Sequence, residues 1–148
     1  MSNLKLSRRI RSLLQVNLND LLMDEADPQD AVAHYLSEMD EGVAQAKDAV
    51  AAAIAQQRQL EKQTKAARAS STEWDAKTDA SLQAGDEEQA RRALQRKMAY
   101  EDVAKELQKK LDHQRQVVAD MKASVAALQD KAKEARRAKS GRAGRKTL

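Results

Sequence analysis

The sequence predicts an all-α fold, a long antiparallel two-helix coiled-coil hairpin preceded by a short amphipathic helix. Three observations predict it. The chain is 34% charged and only 2% aromatic, with a single Pro and no Phe, which suits a helical rod better than a thick globular core. Apolar residues recur at alternating spacings of four and three along two long stretches. Between those stretches, Gly85 and Asp86 supply a helix stop followed by a helix start.

The first element runs from about Leu4 to Met23. Leu6, Ile10, Leu13, Leu14 and Leu21 fall on one helical stripe, and Lys5, Arg8, Arg11, Gln15 and Asn19 fall opposite, so one continuous amphipathic helix with a cationic polar face is expected. Positive charge before apolar residues also resembles a secretory leader. Gln15, Asn17, Asn19 and Asp20 interrupt the apolar stretch, which argues against a cleaved one. Asp27 then suits an N-cap, Pro28 the first helical position and Asp30 the first turn, so a new helix starts at Pro28.

From there the seam reads Val32, Leu36, Met39, Val43, Ala46, Val50, Ala53, Gln57, Leu60, Thr64, Ala67, Ser71, Trp74, Thr78 and Ser81. Gly42 weakens this helix locally by about 1 kcal/mol. After the turn near 84–87, Glu87 and Glu88 open the second helix, whose seam is Ala90, Ala93, Lys97, Tyr100, Ala104, Leu107, Leu111, Gln114, Val118, Met121, Val125, Leu128, Ala132 and Ala135. Folding the helices back on each other pairs residues whose numbers add to 171 along the whole seam, and the implied midpoint falls on the turn residues. In this register Leu60 meets Leu111, Gln57 meets Gln114 as a register-fixing polar pair, and Trp74 faces Lys97, with Arg96 or Lys97 over its ring. Helices of this length would make a rod about 80 Å long. Thr64, Ser71, Thr78, Ser81 and Lys97 make the half near the turn the more polar one, so it is expected to be the more mobile.

Charge is segmented along the chain. Residues 24–41 carry Asp24, Glu25, Asp27, Asp30, Glu38, Asp40 and Glu41 without one Lys or Arg, whereas residues 130–147 are strongly basic, and the hairpin register sets these segments side by side. The expected organisation is thus an amphipathic membrane-binding helix over 1–24, a hairpin over 25–138 and a flexible basic tail over 139–148.

Several function classes drop out. There is no Cys for a disulfide framework, no apolar run long enough to span a bilayer, and His34 and His113 lie far apart in the hairpin register. No catalytic constellation, metal site, cofactor-binding motif or phosphate loop is present, so a non-enzymatic protein is expected. Basic residues without an aromatic stacking platform do not support sequence-specific nucleic-acid recognition.

Four strings, in order and suitably spaced, carry a resemblance: Ala26-Asp27-Pro28 opening a helix, Ser37-Glu38-Met39 soon after, Glu73-Trp74, and Gly85-Asp86-Glu87-Glu88-Gln89-Ala90-Arg91-Arg92-Ala93-Leu94 at the turn. With the N-terminal helix, they resemble the phage shock protein A family, which includes the vesicle-inducing protein of plastids; the similarity covers about residues 10–138. The resemblance implies a bacterial counterpart of ESCRT-III proteins, cytoplasmic and peripheral on the inner face of the cell membrane. Such proteins bind anionic, stressed or curved membrane through the first helix and polymerise into rods or rings; some also bind and inhibit an AAA-type ATPase transcriptional activator. Family members usually carry further helices after the hairpin, where this sequence has a basic tail, so smaller or less stable assemblies are expected.

The expected function is that of an oligomerising scaffold that protects or remodels membrane under envelope stress, with anionic lipids and further copies of itself as partners. Leu4, Lys5, Leu6, Arg8, Arg9, Ile10, Arg11, Leu13 and Leu14 are the expected membrane contacts. Val43, Val50, Gln57, Leu60, Trp74, Leu111, Gln114, Val118, Met121, Val125 and Leu128 are the expected seam. Two readings compete: a coiled-coil adaptor that holds an AAA-type ATPase, and a nucleoid-associated coiled coil. A third possibility for the first helix, docking its stripe on the rest of the protein, finds little surface once the hairpin seam is occupied. Self-association is expected through the charged outer faces, and therefore to be salt-sensitive.

Overall fold

The computed structural model describes residues 2–23 and 27–146, with side chains for 4–23 and 27–141. Asp24 and Glu25 of the acidic segment, and the side chains of Arg142, Arg145 and Lys146, lie outside the described residues. Among the described residues four helices follow in order: α1 Ser2–Gln15, α2 Leu18–Leu22, α3 Pro28–Gln83 and α4 Glu87–Lys146. The two long helices pack against each other.

Local chemistry sets each boundary. The Asp27 carboxylate accepts from the amides of Gln29 (3.2 Å) and Asp30 (3.3 Å), satisfying two orphan donors at the start of α3. The other end of α3 closes in a Schellman turn. Gly85 takes φ 78, its amide donates to Leu82 O (3.1 Å), and the Asp86 amide reaches back to Ser81 O (2.9 Å). Asp86 then caps α4 by accepting from the Gln89 amide (3.1 Å).

Two boundaries differ from the sequence reading. The expected continuous helix over 4–23 is broken at Val16 and Asn17. Asn17 is extended (φ −87, ψ 113) and its side chain accepts from the Asn19 amide at 2.9 Å, so a polar side chain competing for the backbone starts a separate short helix. At the other end, α4 continues through the segment read as a flexible tail, as far as Lys146. Its Lys, Arg and Ala residues are good helix formers, which offsets the roughly 1 kcal/mol that each of Gly141 and Gly144 costs.

The chain divides into two compact units, residues 1–52 with 118–148, and residues 53–117. In the first, the core comprises Leu13 of α1, Val32, Tyr35, Met39 and Ala46 of α3, and Leu128, Ala132 and Ala135 of α4, with Ile10, Leu14, Val16, Leu18, Leu21 and Leu22 packed against it. This is a three-helix core. Across it, Arg136 of α4 pairs with Asp40 of α3 at 2.7 Å, one link between the basic and acidic segments.

The second unit has a thinner seam. Its buried residues are Ala53, Thr64, Ala67, Thr78, Ala90, Ala93, Ala104 and Leu111. The buried Thr hydroxyls donate back within α3, Thr64 to Leu60 O (2.7 Å) and Thr78 to Trp74 O (2.8 Å). Gln114 does not meet Gln57 as the register suggested. It donates to Ala53 O (2.9 Å) and to Gln56 Oε1 (3.3 Å), while Gln57 turns to Glu61 on its own helix. Small Ala53 leaves its carbonyl open to a second donor, and a main-chain acceptor satisfies a half-buried amide without ordering another long side chain. Trp74 is flanked by Lys77 Nζ at 4.2 Å and Arg96 at 5.1 Å from the ring centroid, not by Lys97. Lys97 bonds Asp75 at 2.9 Å instead, and that bond, with the charge of Asp75, raises its pKa above the ordinary value.

Because its buried set holds one large aliphatic residue, the second unit is expected to open at lower urea than the first. Trp74, the only Trp, reports it selectively. Its fluorescence transition should precede the loss of helical circular dichroism, and coincident transitions would refute the difference.

Candidate functional site

The N-terminal helices hold the candidate site. Of the nine residues assigned to membrane contact, Leu4, Lys5, Arg8 and Arg11 are exposed, with Leu4 at 62%. Leu6, Arg9, Ile10 and Leu14 are half-buried, and Leu13 is 5% exposed. The cationic face thus remains open to solvent while the middle of the apolar stripe is covered.

What covers it is the first unit's own α3 and α4. The sequence reading found no surface for α1 beyond the seam, yet a second stripe of α3, Tyr35, Met39, Gly42 and Ala46, is buried in full. It shares Met39 and Ala46 with the seam and adds Tyr35 and Gly42 beside it. At Gly42 the missing side chain makes a notch, and a Cβ there would stand 3.0 Å from Leu13 Cδ1. Leu13 occupies that notch.

Polar contacts at Leu13 and Arg9 accompany the docking. The Tyr35 hydroxyl donates to Leu13 O at 2.7 Å, satisfying one of the carbonyls that the last turn of α1 leaves without an intrahelical partner. Burial, and secondarily the Glu134 carboxylate, raises the Tyr35 phenol above its ordinary 10.0. The neutral donor is therefore favoured when folded: this contribution is fully present below pH 10 and is lost as pH rises through the raised value. On the surface, Arg9 donates to Glu41 Oε2 and Gln45 Oε1, both at 3.0 Å.

The seam residues sit as follows. Leu111, Val118 and Leu128 are buried, and Val43, Val50, Gln57, Leu60, Trp74, Gln114, Met121 and Val125 are half-buried. Sequence reasoning missed Tyr35, Gly42, Glu41 and Gln45. The signal for the first two was present in their spacing with Met39 and Ala46.

Among the described residues, no group of His, Cys, Asp or Glu could hold a metal ion, and no helix is long and apolar enough to cross a membrane. The site offers an exposed cationic helix face beside an apolar stripe docked on α3 and α4.

Residues 5–143 match the model of the PspA/IM30 family. The chain is 37% identical over 128 residues to membrane-associated protein Vipp1 of Nostoc punctiforme, covering 86% of this chain and 50% of that protein. It is 34% identical over 131 residues to chloroplastic membrane-associated protein VIPP1 of Oryza sativa, covering 88% and 41%. With the phage shock protein A homolog of Deinococcus radiodurans the identity is 31% over 126 residues, covering 85% and 56%. The chain spans about half the length of these curated relatives. Fold, motif order and these similarities agree, and the chain belongs to the PspA/IM30 family.

Proposed function

We propose that the protein is a peripheral membrane-binding scaffold that acts in the stress response of the envelope, docking on anionic lipid through α1 and associating with further copies of itself. The observation that carries this reading is the exposed face of α1, where Leu4, Lys5, Arg8 and Arg11 point to solvent on a helix that holds no acidic residue. A membrane surface supplies negative charge and an apolar boundary together, and each such cation is worth about 1 kcal/mol near it. One helix of this kind binds weakly and reversibly, and repetition in an oligomer gives avidity. The names of the relatives, membrane-associated protein and phage shock protein A homolog, support the same reading.

Sedimentation with anionic and with neutral vesicles, for the full chain and for the chain lacking residues 1–23, tests it. The full chain is expected to pellet with anionic vesicles in a salt-sensitive manner, and the truncated chain to stay in solution. Equal pelleting of both would place membrane contact elsewhere. Failure of either to pellet, with retained binding to an AAA-type ATPase, would favour the adaptor reading instead.

A further inference from the structure

The stripe that would enter a membrane is the stripe that packs on the hairpin. Leu13, Ile10 and Leu14 cannot lie in a bilayer and in the core of α3 and α4 at once. Arg9 has the same double claim on it, since its guanidinium meets the Glu41 carboxylate at 3.0 Å and would meet lipid phosphate in the same way.

We propose that the docking of α1 on α3 is a latch that competes with membrane binding and that anionic lipid releases. The inference rests on the membrane reading of α1 given above. Three features make the docked state a separate state rather than a permanent part of the core. The apolar stripe Leu6, Ile10, Leu13, Leu14 and Leu21 has the period of one continuous helix, yet the docked chain breaks at Val16 and Asn17. The break orphans the Leu13 carbonyl, which the Tyr35 hydroxyl then satisfies. In a continuous helix the same carbonyl would accept from the Asn17 amide, so it keeps a partner when α1 undocks, and the Tyr35 hydroxyl is left to water. The Leu13 carbonyl exchanges one hydrogen bond for another, and the α1 stripe exchanges one apolar surface for another, while the α3 surface around Met39 and Gly42 is uncovered and supplies the cost of undocking.

The cationic end remains free for first contact. Lys5, Arg8 and Arg11 are exposed in the docked state and can meet an anionic surface before the stripe leaves its notch. Lipid phosphate then displaces Glu41 from Arg9, Leu13 leaves Gly42, and α1 and α2 join into one helix lying in the interface. The cost of leaving the notch sets how much anionic lipid is required.

The chain has no Cys, which permits a direct test. Leu13→Cys with Gly42→Cys exchanges a large side chain for a small one opposite the notch, and a reducible thiol-specific crosslinker then holds α1 in place. The bridged form should not pellet with vesicles of phosphatidylglycerol, and reductant should restore pelleting. Equal pelleting of bridged and reduced forms would overturn the latch and leave the membrane reading standing. Tyr35→Phe and Glu41→Gln provide a second measurement without crosslinks. The first removes the hydrogen bond to Leu13 O and the second the charge that faces Arg9, and each should raise vesicle affinity roughly two- to tenfold, with faster hydrogen exchange in residues 10–22. Unchanged or weakened affinity in both would overturn the latch. If no form of the chain binds vesicles, the membrane reading and the latch fall together.

Discussion

Replacing Leu128 with Ala is expected to cost about 2–5 kcal/mol of stability, read as a fall in the urea midpoint without a change in slope. Leu128 is 0% exposed and lies in the core with Leu13, Met39 and Ala132. It sits deep within a 60-residue helix, so it cannot leave its site without opening the first unit, and the surrounding alanines have no atoms to spare for filling the hole. Leu94→Ala on the same helix provides the control. Leu94 is 42% exposed, and its replacement should stay within about 0.5 kcal/mol. Equal effects at the two positions would show that the core is not where the structure places it.

The double replacement of Ile10 and Leu13 with Glu is expected to abolish vesicle binding, because two carboxylates then stand in the apolar stripe of a helix whose proposed partner surface is anionic. Read from the sequence alone, the hairpin would be indifferent to this change. The structure gives a different expectation. The carboxylate introduced in place of the Leu13 side chain would stand unpaired against Met39 and Tyr35, at a cost that exceeds what docking is worth, so α1 leaves α3 instead of burying the charge. Hydrogen exchange should therefore rise throughout α1 and α2 and at Tyr35, while the second unit, residues 53–117, stays as protected as before. Retained vesicle binding in this variant would remove α1 from the lipid contact altogether.

The two effects differ because of where the residues sit in their elements. Leu128 is held by helix on both sides, whereas Leu13 lies in the last turn of the 14-residue α1.

Much of this was legible in the sequence. The alternation of four and three from Val32 onward identified two packed helices, and Asp27, Gly85 and Asp86 marked their ends by chemistry that each residue carries alone. The cross-helix pairs Asp75–Lys97, Arg96–Trp74 and Gln56–Gln114 lie within one helical turn of the register inferred from the numbering. Details that depend on a choice among neighbours were not legible. Which cation covers Trp74, or whether Gln114 prefers a side chain or a main-chain carbonyl, turns on rotamers and local reach that spacing does not encode.

The docking of α1 was missed for a different reason. Gly42 reads as a weak point of a helix when two helices are considered, and as a notch only when a third is present. Tyr35, beside the seam residue Leu36, likewise reads as a rim residue until Leu13 O arrives to accept its hydroxyl. A two-helix frame fits every seam position and therefore gives no warning that a second stripe lies next to the first.

The self-satisfied threonines of the second unit make the layers around them interchangeable. Thr64 and Thr78 return their hydroxyls to their own helix, and the alanines around them ask only for closeness, so these two layers, unlike those held by Gln114, Lys97 and Arg96, are not matched to one particular partner. Removing residues 64–70 together with 101–107 would take one heptad from each helix, keep the turn at Gly85 and its caps, and strand no buried polar group. The seam around Thr64 accordingly places little constraint of its own on hairpin length.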